Sequence, residues 1–246
     1  MNSIEQPRLR PIQDAWEALS TALRNYVETR LGAQPLFDVD VEEAVGNVDR
    51  AFEQNLEKFH TFYDLTKRLS SFDYFGCAAT SLVLVLRNAI HHRDHELFVS
   101  WNRAILLEGG LSAKAGAAYL VGSQVAFTDR VAARFAFRLH DFYRRLDMPN
   151  ARIQEPQKLR NLWDSELAFK ELRTRGEHQK YPDDQIFVDV MPILMAAMAA
   201  TARWLDTTDF TARGYDGKTY LKHFGALPAD YLGPLDTFEK RIPGRI

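Results

Sequence analysis

The chain has 246 residues, enough to bury a core without support from metals or disulfides. Its one cysteine, Cys77, excludes an intramolecular disulfide and any zinc site built from several thiolates. A formal charge of -2 gives no global pull toward nucleic acid, and the polar start from Met1 to Arg10 has no apolar leader, so a soluble cytoplasmic protein is expected.

Ile12, Trp16, Leu19, Leu23, Tyr26, Val27 and Leu31 recur at spacings of three and four, which predicts a first helix stopped at Gly32. Val41 through Leu69 repeats the pattern with Val45, Val48, Phe52, Leu56, Phe59, Tyr63 and Leu69 on the apolar side. Ser70 and Ser71 then offer an N-cap and Asp73 an acidic first turn, so a third helix is expected from Phe72 to about His92. Trp16, Phe52, Phe59, Tyr63 and Phe72 fit core spacing. Cys77, between Gly76 and Ala78, fits a packed small residue better than a nucleophile.

Beyond that helix the pattern loosens. Glu108-Gly109-Gly110 and Gly116 predict a loop over 107–118, and the nearby Lys114 lacks the order of a phosphate-binding loop. Residues 119–139 support two readings. Arg130, Arg134 and Arg138 repeat every four residues, as on a helix, whereas Val131, Ala133, Phe135, Phe137 and Leu139 alternate as on a strand. The extended reading is preferred, followed by a short helix from Asp141 to Leu146. Helices are expected over Gln157–Thr174, ended by Gly176, and over Asp183–Leu205, started by Pro182, Asp183 and Asp184. Asp189, Pro192, Thr201 and Arg203 make the latter a core helix rather than a membrane span. From Thr207 on, glycines and prolines accumulate. The sequence thus predicts a mainly α fold: a helical domain over 1–206 with an irregular, partly extended middle, and an irregular C-terminal extension over 207–246 with one short helix near Lys218 to Phe224.

The third helix ends in Arg87-Asn88-Ala89-Ile90-His91-His92 after the apolar run Ser81 to Leu86. At about 100° per residue, His91 lies ~40° from Arg87, His95 ~80°, Asn88 ~100° and His92 ~140°, while Leu82, Val83, Leu86, Ala89 and Ile90 occupy the opposite arc. One face therefore gathers groups that handle protons and negative charge. A guanidinium holds a phosphate through paired donors, and a histidine exchanges protons near neutral pH. Together they suffice for metal-free RNA cleavage, in which histidine deprotonates the 2′-hydroxyl and arginine stabilises the phosphorane.

Arg-Asn-x-x-x-His at the end of a hydrophobic helix resembles the signature of HEPN (higher eukaryotes and prokaryotes nucleotide-binding) domains, with Arg87, Asn88 and His92 in the matching positions. The resemblance implies a HEPN-like helical bundle, a homodimer that brings two motifs together, and often a metal-independent endoribonuclease acting as a toxin or in defence. The spacing alone recurs at Arg134/His140 and Arg173/His178, but there Phe135 follows the first arginine and Gly176 interrupts the second pair. The residues expected to act are Arg87, Asn88 and His92, with His91 and His95 as auxiliaries. Arg93, Arg134 and Arg138 are candidates for following an RNA backbone. No cofactor and no metal is expected: His91 and His95 have ligand spacing without a third ligand. The expected partners are RNA, a second copy and a protein such as an antitoxin. The alternative from another class is a non-catalytic helical module that binds a ligand or partner.

Overall fold

The computed structural model describes residues 6–69, 72–91, 97–124, 134–149 and 153–243. Two long helices, α1 (Gln6–Gly32) and α2 (Val41–Thr66), are linked by a single-turn helix at Pro35–Asp38. Asp40 caps α2, its Oδ1 accepting the Glu43 N–H at 3.0 Å. The third helix, α3 (Ala78–His91), runs back along α2: Tyr63 near the end of α2 meets Phe75 just before α3, and Glu57, two turns earlier, meets Arg87.

Two later helices, α9 (Met191–Asp206) and α10 (Tyr215–Gly225), complete a ring in which α1 packs on α2, α2 on α3, α3 on α9, α9 on α10 and α10 on α1. Its interior holds Trp16, Phe52, Phe59, Phe62 and Leu82, all essentially without solvent contact. Polar contacts fasten the α1–α10 seam. Trp16 Nε1 donates to the Gly217 carbonyl at 3.0 Å, and Asp216 accepts from Thr21 Oγ1 and Arg24 Nε at 2.9 and 3.0 Å.

Between α3 and α9 the chain forms α4 (Trp101–Leu106), α5 (Gly110–Ala113), β1 (Ala118–Ser123), β2 (Ala136–Arg138), α6 (Leu139–Asp147), α7 (Pro156–Glu166), α8 (Phe169–His178) and β3 (Ile186–Asp189). After α10, β4 (Asp236–Arg241) joins the sheet, whose order is β2-β3-β1-β4. Only β1 and β3 run parallel, with Leu120 opposite Ile186; the other pairs are antiparallel. Leu120, Gly122 and Ile186 face α8, where a Cβ on Gly122 would lie 2.7 Å from Leu172 Cδ2. Tyr119, Val121 and Phe187 form the opposite face and pack with Trp101, Ala104 and Ile105 of α4 in a second apolar cluster. No helix among the described residues is long and apolar enough to cross a membrane.

The mainly helical expectation holds, and the structure corrects several boundaries. The third helix begins at Ala78, not Phe72. Asp73 prefers a local turn, its Oδ1 accepting the Phe75 N–H at 3.0 Å, and Thr80 Oγ1 ties the Tyr74 carbonyl to the first helical turn. Ser70 and Ser71 lie outside the described residues. The helix expected over Gln157–Thr174 is two, α7 and α8, broken at Ala168, which takes a left-handed φ of 56° so that both Leu167 and Phe169 can be buried. Gly176 lies inside α8 rather than ending it, and its missing side chain makes room for Ile186. Asp183 starts only a short turn; Ile186 to Asp189 is a strand, buried throughout, and the helix follows at Met191. Within 119–139 the extended reading holds for β1 and β2, while residues 125–133 lie outside the described residues. The extension is also more regular than expected, since it supplies all of α10 and the edge strand β4.

Candidate functional site at the end of α3

From Ala78 to Leu86 every residue of α3 is buried, so Arg87 and Asn88 stand where the helix first reaches water. The Arg87 side chain is only 13% exposed and is held by Glu57 of α2. Its Nη2 and Nε lie 2.8 and 3.2 Å from Glu57 Oε2, and Nη1 lies 3.3 Å from Asn88 Oδ1. One turn on, His91 Nδ1 lies 3.2 Å from the other Glu57 oxygen, Oε1. A single carboxylate thus orients both a guanidinium and an imidazole.

The electrostatics follow from this arrangement. Burial pulls the Glu57 carboxyl upward, but the Arg87 hydrogen bond and charge, together with His91, outweigh it and hold the group below its ordinary value. His60, close to Glu57 on α2, is pushed down by burial and by the Arg87 charge, which favours the neutral ring. Burial raises Asp49 despite its contacts with Ser100 and Arg103, and Glu53 is raised by burial and by the neighbouring Asp49 charge. The carboxylates of α2 therefore differ: Glu57 is committed to the charged form, while Asp49 and Glu53 give it up more easily.

Of the residues read from the sequence, the structure brings Arg87, Asn88 and His91 together. His92, Arg93 and His95 follow directly in the chain but lie outside the described residues. Arg134 and Arg138 face other neighbours. Arg138 Nη2 is 3.5 Å from Glu108 Oε2, and Arg134 sits 5.2 Å over the Phe238 ring in a separate cavity. They do not form a common stripe with the α3 end. Asn88 also looks onto a cavity of about 530 Å³ with Arg145 and Lys158 on its wall.

Glu57 is the member of this cluster that the sequence did not single out. A signal was present: Asp49, Glu53, Glu57, His60 and Asp64 recur every three or four residues on α2, along one flank of the apolar stripe. With Nδ1 turned to Glu57, His91 leaves Nε2 as the ring nitrogen available to other groups, and Glu57 fixes the Arg87 guanidinium beside it. Among the described residues, no three His, Cys, Asp or Glu side chains converge as a metal-ligand group. Compared with known proteins, the chain matches no family model, no curated protein and no solved structure.

Proposed function

We propose that the end of α3 is the site of a metal-independent endoribonuclease of the HEPN type. The observation that carries this reading is the Arg87–Glu57–His91 arrangement, with Asn88 beside it, at the point where an otherwise buried helix meets solvent. His92 removes the proton of a ribose 2′-hydroxyl, whose oxygen attacks the adjacent phosphorus. Arg87 stabilises the extra negative charge of the phosphorane, and Asn88 orients the phosphate. His91, oriented through Nδ1 by Glu57 and entering the reaction protonated on Nε2 as well, gives that Nε2 proton to the departing 5′-oxygen as the P–O5′ bond breaks. The products are a 2′,3′-cyclic phosphate and a 5′-hydroxyl. A homodimer that apposes two such helix ends and an antitoxin-like protein that restrains the activity belong to the same proposal.

The test is incubation of the purified protein with RNA in excess chelator. Arg87→Ala and His92→Ala are each expected to lower cleavage by about 100-fold or more, the range of a lost acid–base or charge-stabilising group. Activity that persists in both variants overturns the site. A second reading is favoured by the same ion pair: a guanidinium neutralised by Glu57 also suits a structural network in a non-catalytic module. On that reading wild-type protein cuts no RNA, and the substitutions change partner binding instead.

A further inference from the structure

Strand β4 (Asp236–Arg241) bounds the sheet on one side: among the described residues its strand neighbour is β1 alone. Four of its six residues, Asp236, Glu239, Lys240 and Arg241, are exposed. Backbone groups alternate in direction along such a ladder. The Ile242 N–H bonds the Ala117 carbonyl, so the even-numbered residues of β4 turn their backbone groups toward β1. The N–H and C=O of Thr237 and Glu239 therefore point away from the sheet, where a further strand can pair with them. Side chains sort by face in the same alternation. Asp236, Phe238 and Lys240 share the face of Trp101, and Thr237 and Glu239 share that of α8. There Arg175 Nη1 donates to Thr237 Oγ1 at 2.6 Å, and the Tyr181 hydroxyl donates to Glu239.

Two copies of this edge can pair antiparallel about a two-fold axis normal to the sheet, which keeps each face on its own side. The axis then passes through one residue and its copy, and that residue sets the register. Centring on Glu239 or on Lys240 places a charge directly opposite its own copy, which is destabilising. Centring on Thr237 leaves Lys240 and Arg241 beyond the partner strand. Centring on Phe238 places Phe238 on its copy, Asp236 opposite Lys240 twice, and Thr237 opposite Glu239 twice. Each of these is a favourable cross-strand pair. A lysine on a sheet edge usually keeps other strands away, but here the copy offers each lysine an aspartate.

We propose that β4 is a contact between two copies of this chain, paired antiparallel with Phe238 at the two-fold axis, so that two four-stranded sheets join as one. The contact uses no residue of the α3 end and holds whether or not the chain cuts RNA.

Cross-linking tests the register. In a Cys77→Ala background, Phe238→Cys sets two thiols in a pair without ladder hydrogen bonds, with Cα atoms about 4.5 Å apart, close enough for a disulfide. Mild oxidation of the full chain should link Phe238→Cys at least about ten-fold faster than Glu239→Cys, whose thiol faces a threonine of the copy. Sedimentation of the wild-type chain should show a dimer at micromolar concentrations. Lys240→Asp, which sets an acid against Asp236, should weaken it about ten-fold. Glu239→Pro removes one outward N–H from each copy and should weaken it about 30-fold. Lys240 is exposed and the Glu239 N–H points away from β1, so both variants remain folded by circular dichroism. A dimer joined at the α3 ends would survive both substitutions and keep the Phe238→Cys thiols apart, which tells the two contacts from each other. Equal cross-linking at the two positions overturns the proposal, as does a dimer undiminished by Lys240→Asp or a wild-type chain that stays monomeric to about 200 μM.

Discussion

Glu57 and Asp189 are both acids, one paired with an arginine and the other buried among backbone N–H groups, and their environments move them in opposite directions. Glu57 is held down, so what it adds to stability is present above its unfolded value of ~4.3 and is lost as pH falls through its lower folded value. Asp189 is held up, so its contribution is present below ~3.9 and is lost as pH rises through about 6. Wild-type protein should therefore gain about 1 kcal/mol relative to Asp189→Asn on moving from pH 7.5 to pH 5, read from urea midpoints. The asparagine can keep the two N–H acceptor contacts on Oδ1, which makes it a fair reference. Equal pH dependence in the two proteins would show that Asp189 is not perturbed. At this scale the sequence revealed Arg87, Asn88 and His91 but not Glu57. A charged stripe on an amphipathic helix looks solvated until the α2–α3 register pairs one of its members with an arginine.

Close approach between α8 and β3 shows how elements constrain one another here. Gly176 faces Ile186, itself 1% exposed, so even one methyl group must displace a packed side chain. Gly176→Ala would gain ~1 kcal/mol in an isolated helix, but overpacking costs ~1–3 kcal/mol, and net destabilisation is expected. Shortening the neighbour in Gly176→Ala/Ile186→Val should recover most of the loss, a coupling visible in a double-mutant cycle. Additive effects would place the strain elsewhere. Long helices were legible because α1, α2 and α3 carry sustained apolar repeats. The strands were less so. Buried β3 is too short to separate from the helix that follows it, and β4, Asp-Thr-Phe-Glu-Lys-Arg, has its pairing imposed by β1 rather than by its own pattern. The α7–α8 break was silent for another reason: it falls at Leu167–Ala168, without glycine or proline.

Across the whole molecule, the C-terminal forty residues close two structures at once. The α10 helix seals the ring against Trp16 and α1, and β4 covers the edge of β1. Truncation after Asp206 should therefore abolish a cooperative urea transition and raise binding of a hydrophobic dye, as expected when native packing is lost but collapse persists. A sharp transition in the truncated chain would mean that the other helices form a sufficient core. The sequence suggested an appendage packed onto a finished domain, because glycines and prolines dominate its local pattern. What it could not display is that Asp216, Gly217 and Phe238 meet residues some 100 to 200 positions earlier.

The parallel pairing of β1 with β3, and the antiparallel pairing of β4 with β1 beyond it, have a consequence for synthesis. Strand β1 leaves the ribosome with Leu120, waits for Ile186 to gain one neighbour, and waits for Glu239 to gain the other. Such distant pairings form late, after the local helical hairpins have collapsed. The outer edge of β4 is correspondingly among the last features to exist. A second copy that pairs along it would recognise only finished chains and would hold them folded by mass action.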